Sequence, residues 1–461
     1  MQRLGLTIAA AIAFTIVAWS RLAHMRLVWI EEAYGMAAAA GILQSKELYS
    51  SIWFDKPPIY AWFYVLSGAT SGLPLRIAGI VLVLTAAGCV WLLARELWGS
   101  AEAALAAGLL CFSLTFWIQS AVIAVAPDLL MIAPASLAVL FAIQRRPWLA
   151  GILAGICVLC NSKGMIIVGV VLLWTLPDVA KVLAGFLGVQ AALLLVVPPV
   201  DYWREVWVWG FGYSRDTFVT NPFSEGIRRT VSWMAFHLTI SVGAAVCLIR
   251  ERNWKLLAWL GLSLIAVCGG LRFFPRYYFA LLPVMTVVGA RGLLLLPVRW
   301  RLGVCALLLI PLVRFGPRYF QTEAASWSDT ALMEDSRRCS QILKSASRPG
   351  DKLFVWGYRP DVYVFSELPA ATMFLDSQPL TGVLADRHLS NSQPTFPDIG
   401  IQNRRNLTRE TPEFIVDGLG PLNASLAISG YENLRGWLRQ YEELAHTRTT
   451  VIYRRRASLG Q

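Results

Sequence analysis

Long apolar runs constrain this chain more than any other feature. Stretches long enough to cross a bilayer, some only marginally, occur near 4–20, 75–95, 101–119, 122–142, 148–162, 164–178, 182–199, 231–249, 255–271, 277–297 and 302–314. In lipid each run has to satisfy its own backbone hydrogen bonds, and a helix does so within one segment. The predicted fold class is an α-helical polytopic membrane protein with about 11 transmembrane helices plus interfacial helices. Composition agrees, since 56% of the 461 residues are hydrophobic and only 15% are charged. The opening run, Leu4 to Ser20 behind Arg3, has no small-x-small cleavage site and reads as an uncleaved anchor with its N-terminus inside.

The net charge of +12 does not point to nucleic acid, because no basic run interleaved with aromatics lies outside the membrane-flanking loops. In a membrane protein, excess Lys and Arg marks cytoplasmic loops or faces phosphorylated lipid. The short apolar stretch Pro57 to Gly68 carries Tyr60, Trp62, Phe63 and Tyr64, the composition of an interfacial helix. Reading it that way places Arg95, Arg145, Arg146, Lys181, Arg250, Arg252, Lys255, Arg299 and Arg301 inside. Arg21, Arg26, Lys46, Lys56, Lys163, Arg204, Arg215, Arg228, Arg229, Arg272 and Arg276 then fall outside, where an anionic lipid-linked ligand would explain them.

After about residue 317 the hydropathy drops, and polar helical stretches alternate with short β-rich runs, LFVWGY, EFIVDG and TTVIYRR. The expected organisation is a transmembrane domain over 1–317, with an outer loop at 21–74, followed by a small extracytoplasmic α/β domain over 318–461. No P-loop, no GxGxxG after a strand and no HExxH occurs. Of the eight cysteines, Cys157 and Cys160 form a CxxC inside an apolar run, with no second pair or histidine nearby to make a metal site.

The residues that can carry chemistry lie at the outer ends of the predicted helices. Glu31 and Glu32 precede AYGMAAAAGILQ, a helix by composition, so one reading makes them complements to its dipole. The other makes them catalytic, because carboxylates between an apolar anchor and an interfacial segment are costly. Adjacent helix residues point about 100° apart, so one carboxylate can face a cleft while the other supports it. Lys56 stands directly before Pro57-Pro58, where its ammonium suits a phosphate. Lys163 in CNSKG, and Arg272 and Arg276 in LRFFPRYYFALLP, are further candidate phosphate ligands, with membrane-interface anchoring as the alternative. Asp128 follows Pro127 in the first turn of a predicted helix, and either caps it or joins the site.

With these residues placed, the stretch EEAYGMAAAAGILQSKELYSSIWFDKPPIYAWFYVLSG resembles the first outer loop of the GT-C polytopic glycosyltransferases, specifically the protein O-mannosyltransferase and aminoarabinose transferase superfamily. That family's pattern is an acidic pair, a tyrosine two positions on, a small-residue helix, then Lys-Pro-Pro and an aromatic helix. RIAGIVLVLTAAGCVWLLARELWG, APDLLMIAPASLAVLFAI, GILAGICVLCNSKG, LRFFPRYYFALLPVMTVVGARGL and GDKLFVWGYRPDVYVFSELPA extend the likeness along nearly the whole chain.

The resemblance implies an inverting enzyme of the bacterial inner membrane, acting on the extracytoplasmic side with a polyprenyl-phosphate sugar as donor. The acceptor would be a glycan, lipid or protein. It implies Glu31 and Glu32 as catalytic residues, Lys56, Lys163, Arg272 and Arg276 at the donor phosphate, and Tyr34, Tyr60, Asp128 and Tyr277 lining the pocket. A divalent metal is left open. Glu31 stands where the family usually has aspartate, which points to a reshaped acceptor site, a shared role for Glu32, or a weakly active homologue. A lipid-linked sugar transporter or flippase and a noncatalytic binding homologue are the competing classes. A transporter calls for repeated halves and mid-membrane charges, whereas here the charges gather at one face.

Overall fold

The computed structural model describes residues 2–217, 219–321 and 327–456. The chain opens with helix α1 (Gln2–Leu22), followed by α2 (Ile30–Leu43), the short α3 (Pro58–Leu66) and the long α4 (Leu73–Leu97). α3 starts at Pro58, where a residue without an N–H donor loses nothing. α2 is small-residue helix, and Gly35 lets the aromatic face of α3 close on it. A Cβ at Gly35 would lie 2.6 Å from the Tyr64 ring and 3.0 Å from that of Tyr60.

Among the described residues, three helices have the length and apolarity to cross a membrane, Leu73–Leu97, Ser162–Leu194 and Pro275–Leu295. The expected count of about eleven spans is therefore not established, because most of the other apolar runs fold as shorter helices, such as Ser100–Ser113 and Pro147–Cys160. The run expected at 231–249 straddles a break. Pro222–Phe236 meets Leu238–Glu251 at 96°, and the pair is either one broken span or a re-entrant turn. Small residues carry the tightest packing: a Cβ on Gly292 would sit 1.7 Å from the Gly243 carbonyl oxygen, so two helix backbones touch there.

The C-terminal segment holds the helix Ser328–Ala346 and a four-stranded sheet in the order β1-β2-β4-β3. β1 (Leu353–Trp356) runs parallel to β2 (Phe414–Asp417), while β4 (Val451–Arg455) is antiparallel to both β2 and β3 (Tyr441–His446). Every residue of β1 and β2 is buried, which is why both read as continuous apolar runs. β3 is a mostly exposed edge, and its sequence YEELAH carries no such signal. Leu353, Val355 and Val416 share one apolar core with Tyr34, Ala38, Tyr60 and Tyr64, so the sheet packs on the same core as α2 and α3.

Candidate functional site

Glu31 and Glu32 both fall in the first turn of α2, and the offset between neighbouring helix positions separates their fates. Glu32 is fully buried. Arg76 of α4 grips it with two parallel bonds, Nη1 to Oε1 at 2.9 Å and Nη2 to Oε2 at 2.7 Å. The same carboxylate accepts the Val125 amide at 3.0 Å and the Trp29 amide at 3.2 Å, closing the N-terminus of α2. With four bonds received and no exposure, Glu32 is a capping and clamping group that substrate does not reach. The dipole-complement reading thus accounts for Glu32.

Glu31 turns the other way and its side chain is 38% exposed. Its carboxylate pairs with Arg276, at the start of the segment Pro275–Leu281, and its backbone carbonyl accepts from the Tyr60 hydroxyl of α3. Arg276 Nη1 is buried without a hydrogen-bond partner among the described residues. Lys163 Nζ is likewise buried and unpartnered, lying over the Tyr277 ring. Lys163 follows directly on the helix Pro147–Cys160, in a turn that the Asn161 side chain caps by accepting the Lys163 amide at 3.1 Å. Asp128, Lys56, Arg272 and Arg276 are its charged neighbours, and Asp128 also acts on Arg276 and Tyr277.

The segment between α2 and α3 completes the site. Lys56 is 38% exposed and pairs with Asp55 at 2.8 Å. Tyr34 of α2 stacks on Phe54 with ring centroids 4.9 Å apart, and Phe54 stacks in turn on Tyr60 at 5.9 Å. Tyr358, from the turn after β1, leans over Tyr34 at 5.9 Å and brings the C-terminal segment to the edge of the site. Burial pushes the Tyr34 phenol well up, so it stays a neutral hydrogen-bonding group.

Arg272 stands apart from the other predicted cations. It is fully buried, pairs with Asp386 at 2.5 Å, donates to the carbonyls of Tyr213 and Asp216, and lies 3.7 Å from the Tyr213 ring centroid. Its guanidinium is spent on fixing the C-terminal segment to the end of the helix Trp209–Arg215 and to Asp216 just after it. Several other cations on the predicted outer side also bond internally. Arg21 donates to the carbonyls of Leu114 and Val122, both at 3.0 Å, Arg204 pairs with Asp201, and Arg228 and Arg229 share Glu225. Of the cations named from the sequence, Lys163, Arg276 and Lys56 are the ones grouped near Glu31, Arg276 through its ion pair and Lys56 and Arg276 as charged neighbours of Lys163.

Sequence reasoning passed over Asp55, Arg76 and Asp386. Asp55 had a signal in its place directly before Lys-Pro-Pro, and Arg76 had one as a lone charge near the start of an apolar helix. Nothing local marks Asp386. As to a metal, no group of three His, Cys, Asp or Glu side chains converges among the described residues. Glu31 and Asp55 each face a cation instead, so the residues present do not form a metal cradle.

Residues 55–203 match the model of a family described as dolichyl-phosphate-mannose-protein mannosyltransferase. No protein of curated function matches the chain in sequence. Among solved structures, ArnT from Cupriavidus metallidurans bound to undecaprenyl phosphate superposes with a TM-score of 0.67 at 14% identity, covering 99% of this chain and 98% of that one. Its apo state gives 0.63 over 98% of both chains, again at 14% identity. The oligosaccharyltransferase AglB from Archaeoglobus fulgidus, in complex with an inhibitory peptide and a dolichol-phosphate, gives 0.52 at 13% identity over 96% of this chain and 73% of that one. The superfamily resemblance seen in the sequence is thus matched by the fold of the whole chain.

Proposed function

We propose that this chain, which carries the GT-C glycosyltransferase fold, transfers a sugar from a polyprenyl-phosphate donor to an acceptor hydroxyl at the extracytoplasmic face of the membrane. One observation carries the reading: two neighbouring buried cations, Lys163 and Arg276, keep donors without acceptors among the described residues, Nζ and Nη1, and Arg276 pairs with the Glu31 carboxylate. Buried charged donors left unmet are expensive, and the donor's phosphodiester, and after transfer the polyprenyl phosphate monoester, supplies the acceptors they lack. Lys56, on the rim, adds a third positive charge. The ArnT structure binds undecaprenyl phosphate, a lipid of this chemical class.

In the reaction, the acceptor hydroxyl attacks the anomeric carbon and its proton passes to the Glu31 carboxylate. The bond from the anomeric carbon to the phosphate oxygen breaks, and that oxygen keeps the electron pair. Lys163, Arg276 and Lys56 hold the departing polyprenyl phosphate, whose charge grows as the bond breaks. A single displacement inverts the anomeric centre. The Glu31–Arg276 pair is consistent with an ordered reaction, in which a donor phosphate competes for Arg276 and so releases Glu31 as the base.

The pairing of Glu31 also supports a second reading, a homologue that binds lipid-linked sugar without turnover. Purified protein in vesicles supplied with undecaprenyl-phosphate sugars separates the possibilities. Release of undecaprenyl phosphate with formation of a new glycoside supports transfer. Binding alone supports the second reading, and movement of the lipid between leaflets without transfer supports a flippase. Glycolipid and glycoprotein profiles of cells with and without the protein then identify the acceptor.

A further inference from the structure

The segment Trp53–Lys56 has no regular secondary structure, yet its backbone is held from four directions. The Trp53 amide donates to the Met373 carbonyl at 2.8 Å, and the Phe54 amide to Glu205 Oε2 at 2.9 Å. The Asp55 amide reaches the Tyr34 hydroxyl at 3.4 Å, and the Lys56 carbonyl accepts from the Tyr49 hydroxyl at 3.0 Å. Three of these holds use a main-chain carbonyl or a phenol. The fourth uses a fully buried carboxyl, a side chain that is almost never found in a protein interior without a specific partner.

Glu205 comes from Trp203–Val208, a π-helical stretch within the helical run 199–215. Such widened turns displace side chains from α-helical register and are frequent at functional sites. Here Glu205 points inward while its neighbour Arg204 stays 52% exposed. Glu205 Oε1 accepts no hydrogen bond among the described residues and lies 3.6 Å from Arg204 Nη2, so the 2.9 Å bond to the Phe54 amide is the group's shortest contact.

We propose that Glu205 is a positioning residue, whose bond to the Phe54 amide sets the Asp55-Lys56 segment and so aims the Lys56 ammonium at the donor phosphate. This rests on the transferase reading. Burial raises the Glu205 carboxyl to about 9, so near neutral pH it is a protonated acid accepting through its carbonyl oxygen. Glutamine is the neutral isostere of that form and should replace it, whereas alanine should not.

The test uses the full chain in lipid nanodiscs, with hydrogen exchange at the Phe54 amide and binding of undecaprenyl phosphate as the two readouts. Glu205→Ala should speed Phe54 exchange and weaken undecaprenyl phosphate binding by about tenfold, and Glu205→Gln should restore both. Glu205→Asp, one carbon shorter, carries the same test where the alanine variant does not fold. Unchanged Phe54 exchange in the alanine or aspartate variant, or a glutamine variant as impaired as alanine, overturns the positioning role. Wild-type protein that binds no undecaprenyl phosphate overturns the transferase reading and the aiming of Lys56 with it, whatever the exchange shows.

Discussion

Arg76 and Glu32, 44 residues apart in the chain, form a fully buried bidentate pair that ties the start of α2 to α4. Removing one partner strands the other charge out of water, a loss of about 3–5 kcal/mol. Arg76→Ala and Glu32→Ala are therefore expected to lower the unfolding midpoint of the detergent-solubilised protein sharply. Midpoints at the wild-type value would show that the pair does not anchor α2.

Glu31 and Lys56 are partly exposed, so replacing them should leave the fold intact and remove turnover. Loss of a positioned general base costs about 10²- to 10⁴-fold in rate. Glu31→Ala should show that loss in undecaprenyl phosphate release from the donor, with an unchanged melting temperature. Lys56→Ala should also abolish transfer. Full activity in both variants would refute the site assignment.

Gly35 sits beneath the rings of Tyr60 and Tyr64, where an added methyl group has no room. Gly35→Ala should destabilise by about 1–3 kcal/mol through overpacking. It should also slow turnover, because the hydroxyl of Tyr60 holds the backbone carbonyl of Glu31. Thermal unfolding alongside the release assay checks both effects.

Arg272 is committed to Asp386, so its loss should act on the C-terminal segment. Arg272→Ala and Asp386→Ala are each expected to speed limited proteolysis between residues 380 and 400. A variant that loses undecaprenyl phosphate binding with wild-type proteolysis would instead make Arg272 a donor ligand.

Asp376 titrates against stability. Burial, with the Asp55 carboxylate adding to it, raises its folded value from an ordinary 3.8 to about 7. Between those values the folded chain holds a proton that the unfolded chain has released, so stability falls as pH rises from about 4 to about 7. Unfolding midpoints across that range should show the decline, and Asp376→Asn should flatten it.

The strands of the C-terminal sheet show how legibility depends on burial. β1, β2 and β4 were readable as LFVW, FIVD and VIYRR, while β3, exposed along most of its length, left no apolar pattern. The apolar runs likewise marked most of the helices, but the sharp bend at His237 inside the run 231–249 had no sequence signal to fix its angle.

By itself the sequence determined that the chain is rich in apolar helices, that Glu31-Glu32 and Lys56-Pro57-Pro58 frame one loop, and that α/β structure follows. Those properties rest on local patterns, namely apolar length, helix periodicity and proline chemistry. Only the tertiary structure decided which charges are free. Glu32 is consumed by a partner 44 residues away, Glu31 meets Arg276 across 245, and Arg272 is taken by Asp386 across 114. A charge costs most where it is buried, and its partner is set by how the helices pack, which neighbours in sequence do not record.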